Sequence, residues 1–210
     1  RLIRNGSIVD VKSLVNLFKQ ISHIEDKQAK VRFDIHNAVL ILPPIGLEIY
    51  EDKKSISVIS NNYRIDKVDI DNLCNLIRKG KIKSENSFVD VVPTKYYLSS
   101  GSTDRTPIGM KSPFLSMRAV IYTLPTKMLK GYTTALENAA IRVKRCVIGP
   151  HAIAHLLAKT NTSPYIFLDV GSSYSSISLI SKTIVYNSSY FPIGGDELTR
   201  RISNAFHIDF

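Results

Sequence analysis

One segment in the last quarter of the chain constrains the fold more than any other. It combines a strand, a turn of small residues, two more strands and a glycine-rich turn into a helix. In the sequence these parts are 165–170, Gly171-Ser172-Ser173, 175–180, 182–190 and Gly194-Gly195-Asp196. We expect a three-stranded antiparallel meander, in which Asp169 stands near the end of a hydrophobic strand that we predict to be buried.

Asp169 and the small residues after it have the pattern of a phosphate site. Gly171, Ser172 and Ser173 let the backbone approach a phosphate closely, and N–H groups in a tight turn form an anion-binding nest. A carboxylate at the same edge can hold a hydrated Mg²⁺ beside that phosphate. An ordinary hairpin with glycine at its turn has the same pattern, so the motif alone leaves both interpretations open.

The rest of the chain mixes helical and strand patterns. Apolar spacing predicts helices over 10–30, 69–80, 127–141 and 151–159. Strand composition covers 38–50 with a break at Pro43-Pro44, 55–60, 88–98 with a bend at Pro93, 114–124 and 143–148. The segment 161–164 has the composition of a linker. This mixture predicts an α/β or α+β fold.

Charge and cysteine content narrow the function only slightly. The formal charge is +10, and one basic cluster comprises Arg78, Lys79, Lys81 and Lys83. Surfaces that bind single-stranded nucleic acid interleave aromatic residues with such cations, and this cluster contains none. We therefore expect this cluster to be a solvated basic surface, and we expect no nucleic-acid partner. The two cysteines lie far apart in apolar surroundings, which favours reduced thiols in a cytosolic protein.

Other candidate sites are weaker. His151 and His155 have a zinc-ligand spacing but no evident third ligand nearby, so we expect capping and packing and no metal site. Asp66, Asp69 and Asp71 resemble a cation-binding loop only superficially. They precede a helix, where negative charge suits the helix dipole, so we expect all three to be capping residues. No serine, cysteine or histidine has a recognisable catalytic neighbourhood, so we assign no catalytic residue.

The order of these parts resembles the start of a lobe in the actin and Hsp70 type of ATPase fold. Several sequence segments also resemble the FtsA family of bacterial cell-division proteins. They are Ile-Arg-Asn-Gly-Ser-Ile-Val-Asp at 3–10, Asp-Val-Val-Pro-Thr-Lys-Tyr-Tyr at 90–97, Pro-Ile-Gly-Met at 107–110, the strand 116–122, and the run 185–196 into Ile-Gly-Gly-Asp. They follow the family's order at compatible spacing.

The resemblance implies a partial actin/Hsp70-like ATPase lobe of α/β class. An α+β subdomain of strand, helix, strand and strand interrupts it. Residues 1–36 and 126–163 are expected to belong to the first lobe and 37–125 to the inserted interaction subdomain. Residues 164–210 are expected to begin the second lobe.

The resemblance also implies a function. FtsA proteins link the FtsZ ring to the membrane at the division site, on its cytoplasmic face, and recruit other divisome proteins. They polymerise head to tail and bind ATP with Mg²⁺ between the lobes, with at most weak hydrolysis. The FtsZ-binding region and the C-terminal amphipathic membrane helix are expected beyond residue 210. This segment is then a piece of a longer protein that keeps the interaction subdomain and half of a nucleotide site.

Several departures from the family pattern lie in that half-site. Ser172 and Ser173 stand where the family often has glycine, Tyr174 where it often has threonine, and Ser176 in place of its second acidic residue. Ala140 replaces a glycine at the end of the third helix. We therefore expect poor nucleotide binding, no cofactor in this fragment and no enzymatic activity.

Two alternatives remain open at this stage. The same superfold hosts ATPases and sugar kinases, and the actin-like component of type IV pilus machinery shares the inserted subdomain. For a scaffold, the surfaces most suited to partners are the loop 99–111 and the exposed edges of the strand 114–124.

Overall fold

The computed structural model describes residues 2–4, 6–26, 30–158 and 163–209. The helices are α1 (Val11–Ile21), α2 (Lys67–Arg78), α3 (Thr126–Asn138), α4 (Gly149–Leu157) and α5 (Gly195–Phe206). The strands are β1 (Ile3–Arg4), β2 (Ser7–Ile8), β3 (His23–Asp26), β4 (Val31–Asp34), β5 (Asn37–Leu42), β6 (Glu48–Ser57), β7 (Asn86–Leu98), β8 (Gly101–Thr103), β9 (Phe114–Pro125), β10 (Arg142–Ile148), β11 (Tyr165–Val170), β12 (Ser175–Ser181) and β13 (Ile184–Phe191). Of these described helices, none has the length and apolar character to cross a bilayer.

The chain divides into two compact units. The core unit comprises 1–47 and 124–210, and the insert unit comprises 48–123. The sequence-based bounds for the inserted subdomain were 37–125. The main difference is the strand Asn37–Leu42, which pairs with Arg142–Ile148 in the core unit.

The insert unit is an antiparallel sheet with a helix packed against it. Its strand order is β6-β9-β7-β8, and β6 pairs with β9 from Glu48↔Thr123 to Ser57↔Phe114. Helix α2 contributes Leu73 and Ile77 to a core that also contains Met117. The other buried members are Val58, Ile65, Val91, Tyr96, Leu98, Leu115, Ala119 and Ile121. This core is made entirely of residues within the unit.

Helix α2 begins because two aspartates cap it. The Asp69 N–H donates to Asp66 Oδ1 and the Asp66 N–H donates to Asp69 Oδ2, each at 3.0 Å, which forms a capping box. The predicted capping role of Asp66 and Asp69 is confirmed, whereas Asp71 lies inside α2 and is not part of the capping box. The helix starts at Lys67, two residues earlier than predicted.

The first part of the core unit surrounds a parallel pair of strands. β5 and β10 run parallel, and α1 and α3 pack together beside them. Leu136 and Ile141 are buried there against Val15 and Phe18 of α1. Ala140, two residues after the last residue of α3, has φ of 60°, in the left-handed region that favours glycine. The position therefore has the conformation expected of the glycine that Ala140 replaces.

The first helix is shorter than its periodicity predicts. It ends at Ile21, because Ser22 caps it: the Ser22 N–H donates to the Phe18 carbonyl and its hydroxyl donates to the Lys19 carbonyl. The chain then forms the hairpin β3–β4, in which His23 Nδ1 lies 2.7 Å from Asp34 Oδ1. Residues 27–29 of the predicted helix lie outside the described residues.

The last part of the core unit is the meander β11-β12-β13, as predicted. The strand β11 was predicted to be buried, and its aliphatic side chains are exposed instead. Ile166, Leu168 and Val170 are 65%, 61% and 66% exposed, whereas Ser176 and Ser178 are fully buried. Helix α4 contacts β12 and β13. The aliphatic face of this sheet is thus the exposed one.

Candidate functional site

The candidate phosphate site lies where β11 ends. Asp169 is the penultimate residue of β11 and pairs with Ser176 of β12. Its side chain is half-buried. The turn Gly171-Ser172-Ser173 follows immediately, so the structure brings all four predicted site residues to one edge of the meander.

Glycine is required at the first position of this turn. The Gly171 N–H donates to the Tyr174 carbonyl at 3.0 Å. A Cβ atom on Gly171 would lie 2.8 Å from that same oxygen, closer than ordinary packing allows. The turn therefore closes tightly only because this residue lacks a side chain.

The Gly194-Gly195 turn is fastened to the same loop through the backbone. The Gly195 N–H donates to the Gly171 carbonyl at 2.9 Å, and the Asp196 N–H donates to the Ser172 carbonyl at 2.8 Å. A Cβ atom on Gly194 would lie 2.4 Å from the Gly171 oxygen. Gly194, not Asp196, is the N-cap of α5, and Asp196 lies in its first turn. The first helical N–H groups therefore bind the loop and are unavailable to a ligand.

Two tyrosines belong to the surroundings of Asp169. Burial raises the pKa of Tyr174, and the negative charge of Asp169 raises it further. Burial likewise raises the pKa of Tyr132, with a smaller contribution from Tyr174, and the Tyr132 hydroxyl donates to the Gly6 carbonyl at 3.1 Å. The sequence analysis noted Tyr174 only as a departure from a family pattern and missed Tyr132, which lies far from Asp169 in sequence.

The residues present fit a phosphate group only in part. Within the described ranges, the N–H groups of Ser172 and Ser173 donate no backbone hydrogen bond, so they are open to an anion. The Ser176 hydroxyl is buried without a hydrogen-bond partner and carries no charge. A group of three or more metal-ligating side chains is absent from the part of the chain that is described. The turn thus presents one carboxylate and two backbone N–H groups.

The histidine pair on α4 is close in space. His151 Nε2 and His155 Nε2 are 2.9 Å apart, and the ring centroids are 4.6 Å apart. His151 is 1% exposed, in keeping with the packing role expected for it. The N-cap of α4 is Ile148, and no described side chain makes a capping hydrogen bond there, so neither histidine caps the N-terminus of α4.

A cavity of about 400 Å³ within the core unit was not foreseen from the sequence. Its lining includes Ile8, Val11, Ile45, Met128 and Tyr190. Tyr190 and Ile45 also line a smaller space beside Tyr174. Pro43-Pro44 followed by Gly46 signals a turn in the sequence, and Gly46, with φ of 71°, turns the chain beside this cavity.

The comparisons with known proteins agree on the class of fold. The chain has an actin-like ATPase fold with a further α+β unit inserted. It superposes on a chain of a PilM-PilN type IV pilus biogenesis complex with a TM-score of 0.60 and 15% identity, covering 99% of this chain and 56% of that one. For the ethanolamine utilization protein EutJ from Carboxydothermus hydrogenoformans, the TM-score is 0.50 and the identity 11%, covering 100% of this chain and 46% of that one.

Among curated sequences, this chain is similar to cell division protein FtsA. It is 22% identical to FtsA of Streptococcus pneumoniae over 203 residues, which cover 96% of this chain and 44% of that protein. It is 23% identical to FtsA of Buchnera aphidicola, with 99% and 49% covered. The resemblance to FtsA inferred from the motifs is confirmed. The chain spans about half the length of these relatives. No protein-family profile matches it.

Proposed function

We propose that the protein is a cell-division scaffold of the FtsA type, which links the FtsZ ring to the membrane and recruits other division proteins. The observation that carries the proposal is the match to FtsA proteins of four organisms over 96–99% of the chain. In this proposal the protein polymerises head to tail at the cytoplasmic face of the membrane. FtsZ and the membrane bind to parts of the longer protein beyond residue 210.

The proposed layout has a first lobe, an inserted subdomain at about 37–125 and a second lobe that begins at 164. The exposed aliphatic face of the meander supports a second lobe that continues beyond this segment. Ile166 pairs with Leu179 and Leu168 pairs with Ile177, so these four side chains share one face. All are at least 36% exposed. A contiguous apolar face of this kind is typical of a surface that another element covers.

Nucleotide binding by the half-site is proposed to be weak. The full-length protein holds ATP with Mg²⁺ between its lobes, and this segment supplies Asp169 with the N–H groups of Ser172 and Ser173. Calorimetric titration of the 210-residue chain with Mg-ATP should therefore give no affinity tighter than millimolar. Micromolar, saturable binding that Asp169→Asn abolishes would contradict the proposal.

The scaffold function is tested with the full-length protein carrying a fluorescent tag in dividing cells. We expect it to accumulate at the division site. Glu48 and Thr123 are paired neighbours, so a short linker can replace the insert unit without stretching the chain. The shortened protein should still reach the division site, since FtsZ binds elsewhere in the proposal, but cells should divide poorly.

A second candidate is an actin-like assembly protein of type IV pili, which the fold similarity to the PilM-PilN complex favours. The same localisation experiment distinguishes the division scaffold from the pilus assembly protein. Accumulation at pilus bases, with normal division after removal of the insert unit, would contradict the division scaffold and support the pilus function.

A further inference from the structure

The insert sheet has one face against α2 and an opposite face that carries several exposed cations. Met117 and Ala119 of β9 belong to the core beneath α2. Arg118 lies between them in the strand, so its side chain projects from the opposite face. Lys53 is its register partner on β6. We call the surface formed by Lys53, Lys95, Tyr97 and Arg118 the basic face.

These four residues come from three adjacent strands. The Lys53 Nζ atom lies 4.0 Å from the centroid of the Tyr97 ring, and Lys95 Nζ lies 5.9 Å from it. The Thr94 hydroxyl donates to the Arg118 carbonyl at 3.1 Å, which places β7 directly beside β9 at this point. Two ammonium groups thus lie around one half-buried aromatic ring, and Arg118 stands opposite Lys53 on the neighbouring strand.

The cations of the basic face differ from Lys54 and Lys83 of the same unit, which form ion pairs. Lys54 Nζ lies 3.0 Å from Asp52 Oδ2, and Lys83 forms an ion pair with Glu48. By contrast, in the described part of the chain Lys53, Lys95 and Arg118 are exposed and form no salt bridge. The acidic residue expected on the same side of β6 is Glu51, two positions and about 7 Å along the strand from Lys53.

This arrangement costs stability in the isolated chain. Lys53 and Arg118 stand directly opposite each other on paired strands, and like charges in that relation are destabilising. A ligand that brings negative charge to this face removes the repulsion when it binds. The face therefore has the electrostatics of a docking surface for an anion larger than a single ion.

We propose that the basic face binds an acidic segment of a protein partner. Ser55 is exposed and continues the face along β6; its hydroxyl oxygen lies 2.7 Å from that of the buried Ser116, and it can donate to a carboxylate. Phe114 is 42% exposed at the end of the same row, which suits one apolar side chain of that segment. The inference extends the proposed scaffold function by naming the chemistry of the partner that the insert unit recruits.

A peptide suits this face better than nucleic acid or membrane. The Tyr97 ring is half-buried and already has Lys53 over it, so it offers no open surface on which a base could stack. Membrane binding relies on several apolar side chains beside the cations, and Phe114 is a single such residue. Carboxylates spaced along an extended chain match cations spaced across three strands.

The test measures binding of a fluorescent glutamate-rich peptide with one leucine to the 210-residue chain by fluorescence anisotropy. The variant Lys53→Gln/Lys95→Gln/Arg118→Gln should bind about tenfold more weakly, since each lost exposed charge contact contributes a few tenths to 1 kcal/mol. The control Arg78→Gln/Lys79→Gln/Lys81→Gln removes the same charge elsewhere and should change the affinity by less than about twofold.

Two outcomes would overturn the inference. Equal weakening in both variants would mean that net charge alone attracts the peptide. Stronger binding of a single-stranded oligonucleotide or of phosphatidylserine vesicles, lost in the basic-face variant and kept in the control, would assign the face to those ligands. Circular dichroism checks that both variants fold. The peptide assay is independent of localisation at the division site, so failure here leaves the scaffold function standing.

Discussion

The insert unit and the meander β11-β12-β13 are both antiparallel sheets, but they bury their apolar residues to opposite degrees. In the insert unit, Leu73, Ile77 and Met117 are fully buried between α2 and the sheet. In the meander, Leu168 is 61% exposed while serines of β12 are buried. The insert completes its core with its own residues, whereas the meander leaves an aliphatic face open.

The difference explains why the two regions suit different roles. A closed core lets the insert unit tolerate functional side chains on its outer face, including the like-charged pair Lys53 and Arg118. The meander is held at its edge by backbone hydrogen bonds between Gly171, Ser172 and the start of α5.

The largest effect is expected from a matched pair of leucine truncations. Leu73→Ala should reduce the free energy of unfolding of the insert unit by about 3 kcal/mol, because it opens a cavity in a closed core. Leu168→Ala should change stability by less than about 0.5 kcal/mol, because its side chain is mostly exposed. Urea unfolding followed by circular dichroism measures both. Similar losses in the two variants would contradict the comparison.

Next in size is the effect of a methyl group at the tight edge of the meander. Gly194→Ala should destabilise the chain by about 1–3 kcal/mol, because the new Cβ meets two backbone oxygens of the loop at 2.4 and 2.6 Å. Gly131→Ala makes the same change within α3, where the Cβ meets only Ile8 Cδ1 at 3.6 Å. That control should gain up to about 1 kcal/mol from helix propensity. Thermal unfolding checks the opposite signs, and a harmless Gly194→Ala would refute the close packing of the loop.

The cap of α2 has a smaller expected effect. Asp66→Ala removes the side-chain acceptor of the capping box and should cost the insert unit about 1 kcal/mol. Asp71→Ala, at an exposed position within the same helix, is the control and should change stability by no more than about 0.5 kcal/mol. Hydrogen exchange of the amides in the first turn of α2 measures the local loss. Unchanged protection in Asp66→Ala would show that the box does not hold the helix start.

The smallest effect expected is a loss of stability at alkaline pH. Burial raises the pKa of Tyr96 in the insert unit and of Tyr174 in the core unit above the ordinary value of 10.0. The folded state therefore holds these protons more tightly than the unfolded state. The stabilisation is fully present below pH 10 and is lost as the pH rises through the folded-state pKa of each tyrosine.

Urea unfolding at increasing pH, with tyrosinate absorbance as a second signal, measures this loss. Tyr174→Phe and Tyr96→Phe should each remove the contribution of the substituted tyrosine to this loss. Asp169→Asn should lower the pKa of Tyr174 and leave Tyr96 unchanged, because the Asp169 charge contributes only to the former. Titration of Tyr174 at the same pH in folded and unfolded chains would contradict the assignment.

Local patterns in the sequence predicted most elements because short-range physics decides them. The caps at Asp66 and Asp69, the strand Phe114–Pro125 and the three strands after residue 164 follow from spacing and propensity. Asp169, Gly171, Ser172 and Ser173 lie together at the end of β11 because they are neighbours in sequence, and their phosphate-binding role stays a prediction. The hairpin β3–β4 was missed because apolar residues at helical spacing, including Ile24, continue past the Ser22 cap.

The amino-acid order alone was enough to place a carboxylate beside a small-residue turn and to identify the resemblance to FtsA. Tertiary structure alone decided which side of the meander is buried, that the first N–H groups of helix α5 donate to the loop, and that Lys53 and Lys95 lie around the Tyr97 ring. The physical reason is the separation along the chain between the residues that interact. Turns and caps depend on a few adjacent residues, whereas burial and charge clusters depend on pairings between strands that lie far apart in sequence.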